Sequence, residues 1–328
     1  MLQFILRRLI WVVATFFVTS LVVFAIIQLP PGDFVTSYVQ NLAAQGGQIQ
    51  QDTIEGLRRI YGLGDPLPIQ YFKWMRGILT RGDFGIAFEL SMPVSKVIWE
   101  RVWLTVALSL GSVVLTWLIA FAIGIYSAVK QYSFGDYFFT FLGFIGIAVP
   151  GFLLALVLMY LQFKYFGRTI GGLFSSAYVN APWSWAKVAD LLKNIWIPVV
   201  LLALEGTAVL IRVMRANLLD EMRKPYVVTA RAKGLPEWKV LLKYPVRLAL
   251  NPFVSTVGWT LPQLVSGSTI LSVVMNLPTT GPMLLRALLV QDMYLAGAII
   301  LILSLLTIIG TLLSDILLAW LDPRIRYQ

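Results

Sequence analysis

A run of 21 residues without a charged side chain, Leu9 to Leu29, follows the Arg7-Arg8 pair near the start of the chain. An α-helix rises about 1.5 Å per residue, so this run is long enough to cross the roughly 30 Å hydrocarbon core of a bilayer. The apolar core of a cleaved signal peptide is shorter, roughly 7–15 residues, and ends at a small-residue cleavage site that is not evident here. The run therefore predicts an uncleaved spanning helix.

Five further apolar segments follow, near residues 103–129, 137–163, 195–214, 247–275 and 296–320. Hydrophobic residues make up 58% of the 328 residues and charged residues only 13%, which is far from the composition of a soluble domain. We therefore predict an all-α polytopic membrane protein with six transmembrane helices.

The chain contains no Cys and no His. Their absence excludes disulfides, Cys/His zinc sites, and thiol or Ser-His nucleophiles. The sequence also has no Gly-Lys pair, and so no Gly-x-x-x-x-Gly-Lys-Ser/Thr phosphate loop. We expect a chain that is not an enzyme and binds no cofactor of its own.

The basic residues are concentrated in segments that would share one side of the membrane. Nine of the 26 Lys and Arg residues fall in residues 212–247, and others lie at both ends of the chain. Short loops rich in Lys and Arg stay in the cytoplasm. The pattern predicts a multi-pass membrane protein with both termini cytoplasmic.

The segment between the first two spans is too long to be a simple connector. Asp52 and Glu55 have the spacing of a capping box, and Pro68 is suited to begin a second helix with the apolar face Tyr71, Phe72, Met75 and Ile78. We predict a helical extracytoplasmic insert over residues 30–101. The chain then divides into 1–29 (N-terminus and first span), this insert, and a five-helix core over 102–328 with a cytoplasmic loop at 215–246.

The loop contains a basic stretch, "TARAKGLPEW", at residues 229–238. A helix here would place Tyr226, Thr229, Ala230 and Lys233 on one face, with small residues that allow close approach. Gly234 is suited to stop that helix, and Pro236 fits the first turn of a second, whose Trp238 side would lie in the membrane interface. The simpler interpretation is that the loop only fixes topology; the pattern favours a knob that docks a partner protein.

The sequence "YVVTARAKGLPEWKVLLKYPVRLALNP" resembles the cytoplasmic loop of permeases in the dipeptide/oligopeptide/nickel family of ATP-binding cassette importers. The general importer motif is acid-Ala-Ala, three residues, then Gly; here it reads Val228-Thr229-Ala230 with Gly234 retained and the acid absent. Similar segments are "YGLGDPLPIQYFKW" at 61–74, "RGDFG" at 81–85, "VPGFLLALVL" at 149–158 and "LDPRIR" at 321–326. The stretch "SVVMNLPTTGP" at 272–282 departs from the family pattern. This loop is expected to face outside, so the departure concerns the transported ligand.

The resemblance implies a type I importer permease fold in the bacterial inner membrane. Such a permease forms half of a translocation pathway for peptides or similar small solutes, with oligosaccharides or nickel complexes as alternatives. It implies a coupling helix that seats in a separate ATPase, carried over to Thr229, Ala230, Arg231, Ala232, Lys233, Gly234 and Leu235 within the 226–246 loop. The implied partners are a second homologous permease, one or two cytoplasmic ATP-binding subunits that hold ATP and Mg, an extracytoplasmic solute-binding protein, and the lipid bilayer.

Two acidic residues fall within predicted spans, where a charge is costly. Glu205 either lines the pathway or has a structural role, and Asp315 is interpreted as structural. An ion-coupled secondary transporter using these acids stays open, although it leaves the basic loop unexplained. A channel or scaffold whose loop binds lipid or nucleic acid is a third class; the bases alternate with Ala, Val and Leu, and we expect no nucleic acid partner.

Overall fold

The computed structural model describes residues 2–28, 54–56, 65–87, 90, 92–167, 171–251, 253, 269–290 and 292–321. A short antiparallel ladder pairs β1 (Ile86–Ala87) with β2 (Met92–Pro93). The helices, in chain order, are α1 (Leu2–Gln28), α2 (Leu67–Arg81), α3 (Val94–Val129), α4 (Phe134–Ala148), α5 (Gly151–Phe166), α6 (Trp185–Met222), α7 (Pro225–Ala232), α8 (Glu237–Lys243), α9 (Pro245–Ala249), α10 (Thr280–Leu289) and α11 (Met293–Leu321). The predicted all-α polytopic class is confirmed.

Three single helices are long and apolar enough to cross a membrane: Ile5–Ile26 within α1, Val94–Val129, and Met293–Ala319 within α11. The pair α4 and α5, and the two halves of α6, pass the same test as bent spans, which gives up to five spans in the described part of the chain. These correspond to five of the six predicted spans. The remaining one, 247–275, lies largely outside the described residues.

The predicted span 137–163 differs from a single straight helix. α4 and α5 meet at an angle of 93° around Val149 and Pro150. Val149 is extended (φ −107°, ψ 117°), as is common before proline, and Pro150 supplies no backbone N–H to continue the ladder. The apolar run predicted a membrane segment correctly, while the proline breaks its helix.

Helix α6 is the longest element, with 38 residues. The hydroxyl of Ser184 caps its start by accepting from the Lys187 amide at 3.3 Å. Pro198 lies inside the helix, and the segments Trp185–Leu204 and Gly206–Met222 meet at 50°. At about 1.5 Å per residue, α6 extends well beyond the predicted span 195–214 at both ends and carries the next loop on its C-terminal part.

The core is formed by two helix pairs. α3 packs along α6, where Gly124 lies so close to Met214 that a Cβ at this glycine would be 2.6 Å from the methionine Cβ. α1 packs along α11, and the buried cluster there includes Val23, Ile98 and Ile299. The close approach at Gly124 explains why a small residue is needed in the middle of a spanning helix.

Helix α2 lies in the predicted insert and packs against α1. The hydroxyls of Tyr71 and Ser20 are 2.7 Å apart in a buried contact, and Met75 is also buried. Phe72, predicted on the same apolar face, is exposed. The proposed capping box at Asp52 lies outside the described residues, and α3 begins at Val94, inside the segment assigned to the insert.

Candidate coupling surface

The C-terminal part of α6 is anchored by a buried ion pair. An Arg215 N–H donates to the Asp136 carboxylate at 2.9 Å, and the Tyr132 amide donates to the same oxygen at 3.0 Å. Asp136 is almost fully buried, and its own amide donates to the hydroxyl of Ser133, the N-cap of α4. The contact ties the turn between α3 and α4 to the helix that leads into the basic loop.

The pair of Arg215 and Asp136 was not among the predictions from the sequence. The Ser-x-x-Asp spacing of Ser133 and Asp136 marks a helix start, and that signal was available. Nothing in the local sequence, however, indicates that Asp136 also meets an arginine 79 residues further along the chain.

Helices α7 and α8 form a two-helix knob, residues 225–243, with its own small core. Val227, Ala230 and Val240 are buried against one another, with Tyr226, Leu235 and Tyr244 packed around them. Gly234 stands between the helices at φ +76°, in the left-handed region that glycine adopts readily. The predicted stop at Gly234 is confirmed, and α8 begins at Glu237 directly after Pro236.

The two helices of the knob are also joined by charge. The guanidinium of Arg231 donates to the Glu237 carboxylate, with an Nη2 to Oε1 distance of 2.5 Å and Nε to Oε2 of 3.1 Å. The hydrogen bond from Arg231 lowers the pKa of Glu237, and the hydrogen bond to Glu237 raises the pKa of Arg231. Because the side chains of Arg231 and Glu237 are 39% and 60% exposed, water screens the pair and limits its contribution to stability.

A second contact fixes the knob to the end of α6. The Tyr226 hydroxyl donates a hydrogen bond to the carboxylate of Glu221. Burial of the phenol, followed by the hydrogen bond and the negative charge of Glu221, raises the pKa of Tyr226 above its usual value. Tyr226 therefore stays neutral and joins the knob to the helix through a bond from α7 to α6.

The seven residues predicted to couple are not equivalent. Five of them are exposed: Thr229, Arg231, Ala232, Lys233 and Gly234. Leu235 is half-buried, and Ala230, only 4% exposed, points into the core of the knob. The expectation that Ala230 belongs to an open small-residue face is therefore corrected: the exposed face consists of Val228, Thr229 and Ala232, and Ala230 lets α7 and α8 approach each other.

The basic charge of the loop lies on its surface. Lys224, Lys239, Lys243 and Arg247 are all exposed. Trp238 is 62% exposed, with the Lys239 ammonium 5.3 Å from its ring centroid, and Leu242 is also exposed. This amphipathic side of α8 is separate from the Val228, Thr229 and Ala232 face of α7.

The acidic residues of the spans fall in different settings. Glu205 lies within α6, close to its bend, and its side chain is outside the described part. The Asp315 carboxylate accepts from Arg8 at 3.1 Å, which joins α11 to α1 near the start of the chain. Within the described residues, no cluster of three or more His, Cys, Asp or Glu side chains could hold a metal ion.

The comparisons with known proteins cover nearly all of the chain. The family of the binding-protein-dependent transport system inner membrane component matches residues 120–327, and the N-terminal domain of such membrane components matches residues 1–109. The chain belongs to this family. It is a permease subunit of a binding-protein-dependent importer and an integral protein of the inner membrane.

Among the relatives of this permease is the oligopeptide transport system permease protein AppB of Bacillus subtilis (strain 168), 32% identical over 328 residues and aligned over 100% of both chains. The glutathione transport system permease protein GsiC of Salmonella paratyphi A is 31% identical, again over 100% of both chains. The predicted family is thereby confirmed, and the ion-coupled transporter and the scaffold are no longer needed to account for this permease.

Proposed function

We propose that this permease forms half of a translocation pathway for short peptides. The support is the full-length similarity to permeases named for oligopeptide and glutathione transport. Oligosaccharides and nickel complexes are the alternative cargo, and Glu205, placed near the bend of α6, is the proposed pathway residue. A Glu205→Gln variant with unchanged uptake and assembly would remove that residue from the proposal.

The proposed route of energy coupling is the knob formed by α7 and α8. The observation that carries it is the combination of an internal core with an exposed Val228, Thr229 and Ala232 face. A preformed knob can seat in a groove of a partner without first paying the entropy of ordering. Arg231, Lys233 and Gly234 lie next to this face, and Leu235 and Ala230 support it from within.

The proposed assembly follows from the family. A second homologous permease completes the pathway, one or two cytoplasmic ATPase subunits hold ATP and Mg, and an extracytoplasmic solute-binding protein delivers the cargo. This permease supplies no ATPase site of its own. Both termini and the 215–246 loop are proposed to face the cytoplasm, and residues 30–101 to form an extracytoplasmic insert before the 102–328 core.

The test is a tryptophan at the exposed face of α7. Ala232→Trp should leave insertion and assembly intact, because the side chain is outside the core of the knob, and should lower peptide uptake by more than about tenfold. Stimulation of ATP hydrolysis by the loaded binding protein should be lost as well. Both quantities are measured in the complete complex reconstituted in lipid.

Ala186→Trp is the matched control, since Ala186 is an exposed alanine at the other end of α6. Uptake by this control should remain close to that of the unmodified complex. Normal uptake and stimulation in Ala232→Trp would show that the α7 face does not carry coupling.

A further inference from the structure

A cavity of about 450 Å³ opens on the side of the permease proposed to face outward. It lies between the first turns of α3, the loop 171–179, the turn 276–278 and helix α10. This volume falls in the roughly 300–1,000 Å³ range of small-molecule sites, which are mostly apolar with a few converging polar groups. The cavity is separate from the knob at the opposite end of α6.

Two arginines from different helices converge on this cavity. Arg101 of α3 and Arg286 of α10 both line it, and they are close enough for their positive charges to repel each other. The negative charge of Glu100 offsets part of this repulsion at Arg101. Among the described residues that line the cavity, none is acidic.

Each guanidinium presents five N–H donors, more than a single protein partner uses. Arg286 also has contacts elsewhere in the molecule, and a ligand would share its guanidinium with them. Paired guanidiniums match the planar fork of a carboxylate better than any other side chain does. An incoming carboxylate would also relieve the repulsion between the two arginines.

The walls of the cavity are held in place by buried hydrogen bonds. The Thr280 amide donates to the Thr105 hydroxyl at 3.0 Å, which joins α10 to α3. The Gly172 amide donates to the Met275 carbonyl at 2.7 Å, which joins the loop to the 276–278 turn. The arginines are therefore mounted on elements with fixed spacing, as a preorganised site requires.

The loop itself is fixed to α6. The Asp190 carboxylate, buried at the start of that helix, accepts from the Ser175 amide at 2.7 Å and from its hydroxyl at 2.5 Å. The Lys187 ammonium donates to the Ala181 carbonyl at 2.6 Å and lies 4.9 Å from the Phe174 ring centroid. Phe174, Leu173, Pro282 and Met283 complete an apolar lining beside the arginines.

We propose that this cavity, termed the external arginine pocket, binds the terminal carboxylate of an imported solute, with the neighbouring apolar side chain held against Phe174 and Met283. The identification of that carboxylate with the C-terminus of a peptide rests on the proposed peptide cargo; the affinity of the pocket for a carboxylate does not.

The first test compares an oligopeptide carrying a free C-terminus with its C-terminal amide, in the complete complex supplied with its loaded binding protein. For the unmodified complex we expect the ratio of half-saturating concentrations, amide over acid, to exceed that of Arg286→Gln by about tenfold, because one charged hydrogen-bonding partner is lost. Arg286→Lys should fall between the two. Arg81→Gln, an exposed arginine on α2, is the matched control and should keep the full ratio.

The second test needs no transport. Phenylglyoxal modifies accessible arginines, and mass spectrometry measures the rate at Arg101 and Arg286 in the purified complex. N-acetyl-Leu-Leu should slow modification of both several-fold, whereas its amide should not, and Arg81 should react at the same rate throughout. If this dipeptide protects the arginines in a complex that transports no peptide, the proposed peptide cargo is refuted, while carboxylate binding by the external arginine pocket is supported.

The pocket proposal is overturned if neither compound protects, or if acid and amide protect equally. It is also overturned if the empty binding protein protects Arg101 and Arg286 while the dipeptide does not, because the arginines would then dock a protein. An unchanged amide-to-acid ratio in Arg286→Gln, in a complex that assembles normally, contradicts it from the transport side.

Discussion

The knob at the end of α6 and the external arginine pocket at its start are stabilised over different distances in the chain. In the knob, Arg231 pairs with Glu237 six residues away, and Tyr226 with Glu221 five residues away. In the walls of the pocket, Thr105 bonds Thr280 across 175 residues. The knob and the end of α6 can therefore shift together without disturbing these contacts, whereas movement of α3 relative to α10 must change the pocket.

This contrast suits a transporter driven from one side. A partner that pushes on the knob moves a preformed body attached to α6, with Arg215 and Asp136 joining that helix to the turn between α3 and α4. At the other end of the same helix, Asp190 and Lys187 hold the loop of the pocket. A tilt of α6 would thus reach both regions. The knob would move with the helix as a rigid body, whereas the walls of the external arginine pocket would change their distance from one another.

The largest expected effect is in the long-range region. Asp190→Ala removes the carboxylate that accepts from the amide and the hydroxyl of Ser175. Losing these two charge-assisted hydrogen bonds should cost roughly 2 kcal/mol of local stability. The loop 171–184 should become several-fold more sensitive to protease in the purified complex. Asp190→Asn keeps one acceptor oxygen, and its protease sensitivity should lie between those of Asp190→Ala and the unmodified chain. Hydrogen exchange in residues 225–243 should not change in either variant. Faster exchange in the knob as well would show that the two regions are not independent.

A smaller effect is expected at Gly234. Its φ of +76° is unfavourable for any residue with a Cβ, although nothing lies within 4 Å of the position that a Cβ would occupy. Gly234→Ala should therefore cost about 1 kcal/mol through the backbone alone, seen as faster hydrogen exchange between α7 and α8. Gly167 has similar geometry, with φ +61° and open space around the position of a Cβ, so Gly167→Ala should cost as much stability while leaving coupling unchanged. Equal losses of coupling in both variants would show that the knob has no specific role in coupling.

The smallest effect is the pH dependence of the Arg231 and Glu237 pair. Since the folded pKa of Glu237 lies below its ordinary value of 4.5, the stabilisation is present above that value and is lost as the pH falls through the folded pKa. Exchange rates in residues 225–243, corrected for intrinsic chemistry, should be constant from pH 7 to pH 5 and rise only below about pH 4.5, by less than about 1 kcal/mol in free energy. Arg231→Met should remove the low-pH change; a rise that persists in this variant would assign it to another acid.

Sequence reasoning succeeded where the signal is local or repeated. The uncharged run of α1, the helix stop at Gly234 and the proline that opens α2 all follow from propensities that act within a few residues. The expectation that Ala230 belongs to an open face was wrong, because the spacing of small residues on a helix is the same whether their face is exposed or packed. It also treated 137–163 as one helix, since an apolar run dominates a hydropathy pattern even where Pro150 breaks the backbone.

By itself, the sequence determined that this chain is an integral membrane protein, that it belongs to the permease family, and that its basic loop lies between two spans. These depend on the hydropathy, the charge distribution and the motifs, which are properties of the chain before it folds. Only the tertiary structure decided that Ala230 faces inward, that Arg215 meets Asp136, and that Arg101 and Arg286 share one cavity. Such contacts join residues far apart in the chain, and the packing of helices in three dimensions selects them from many pairings that the sequence allows equally.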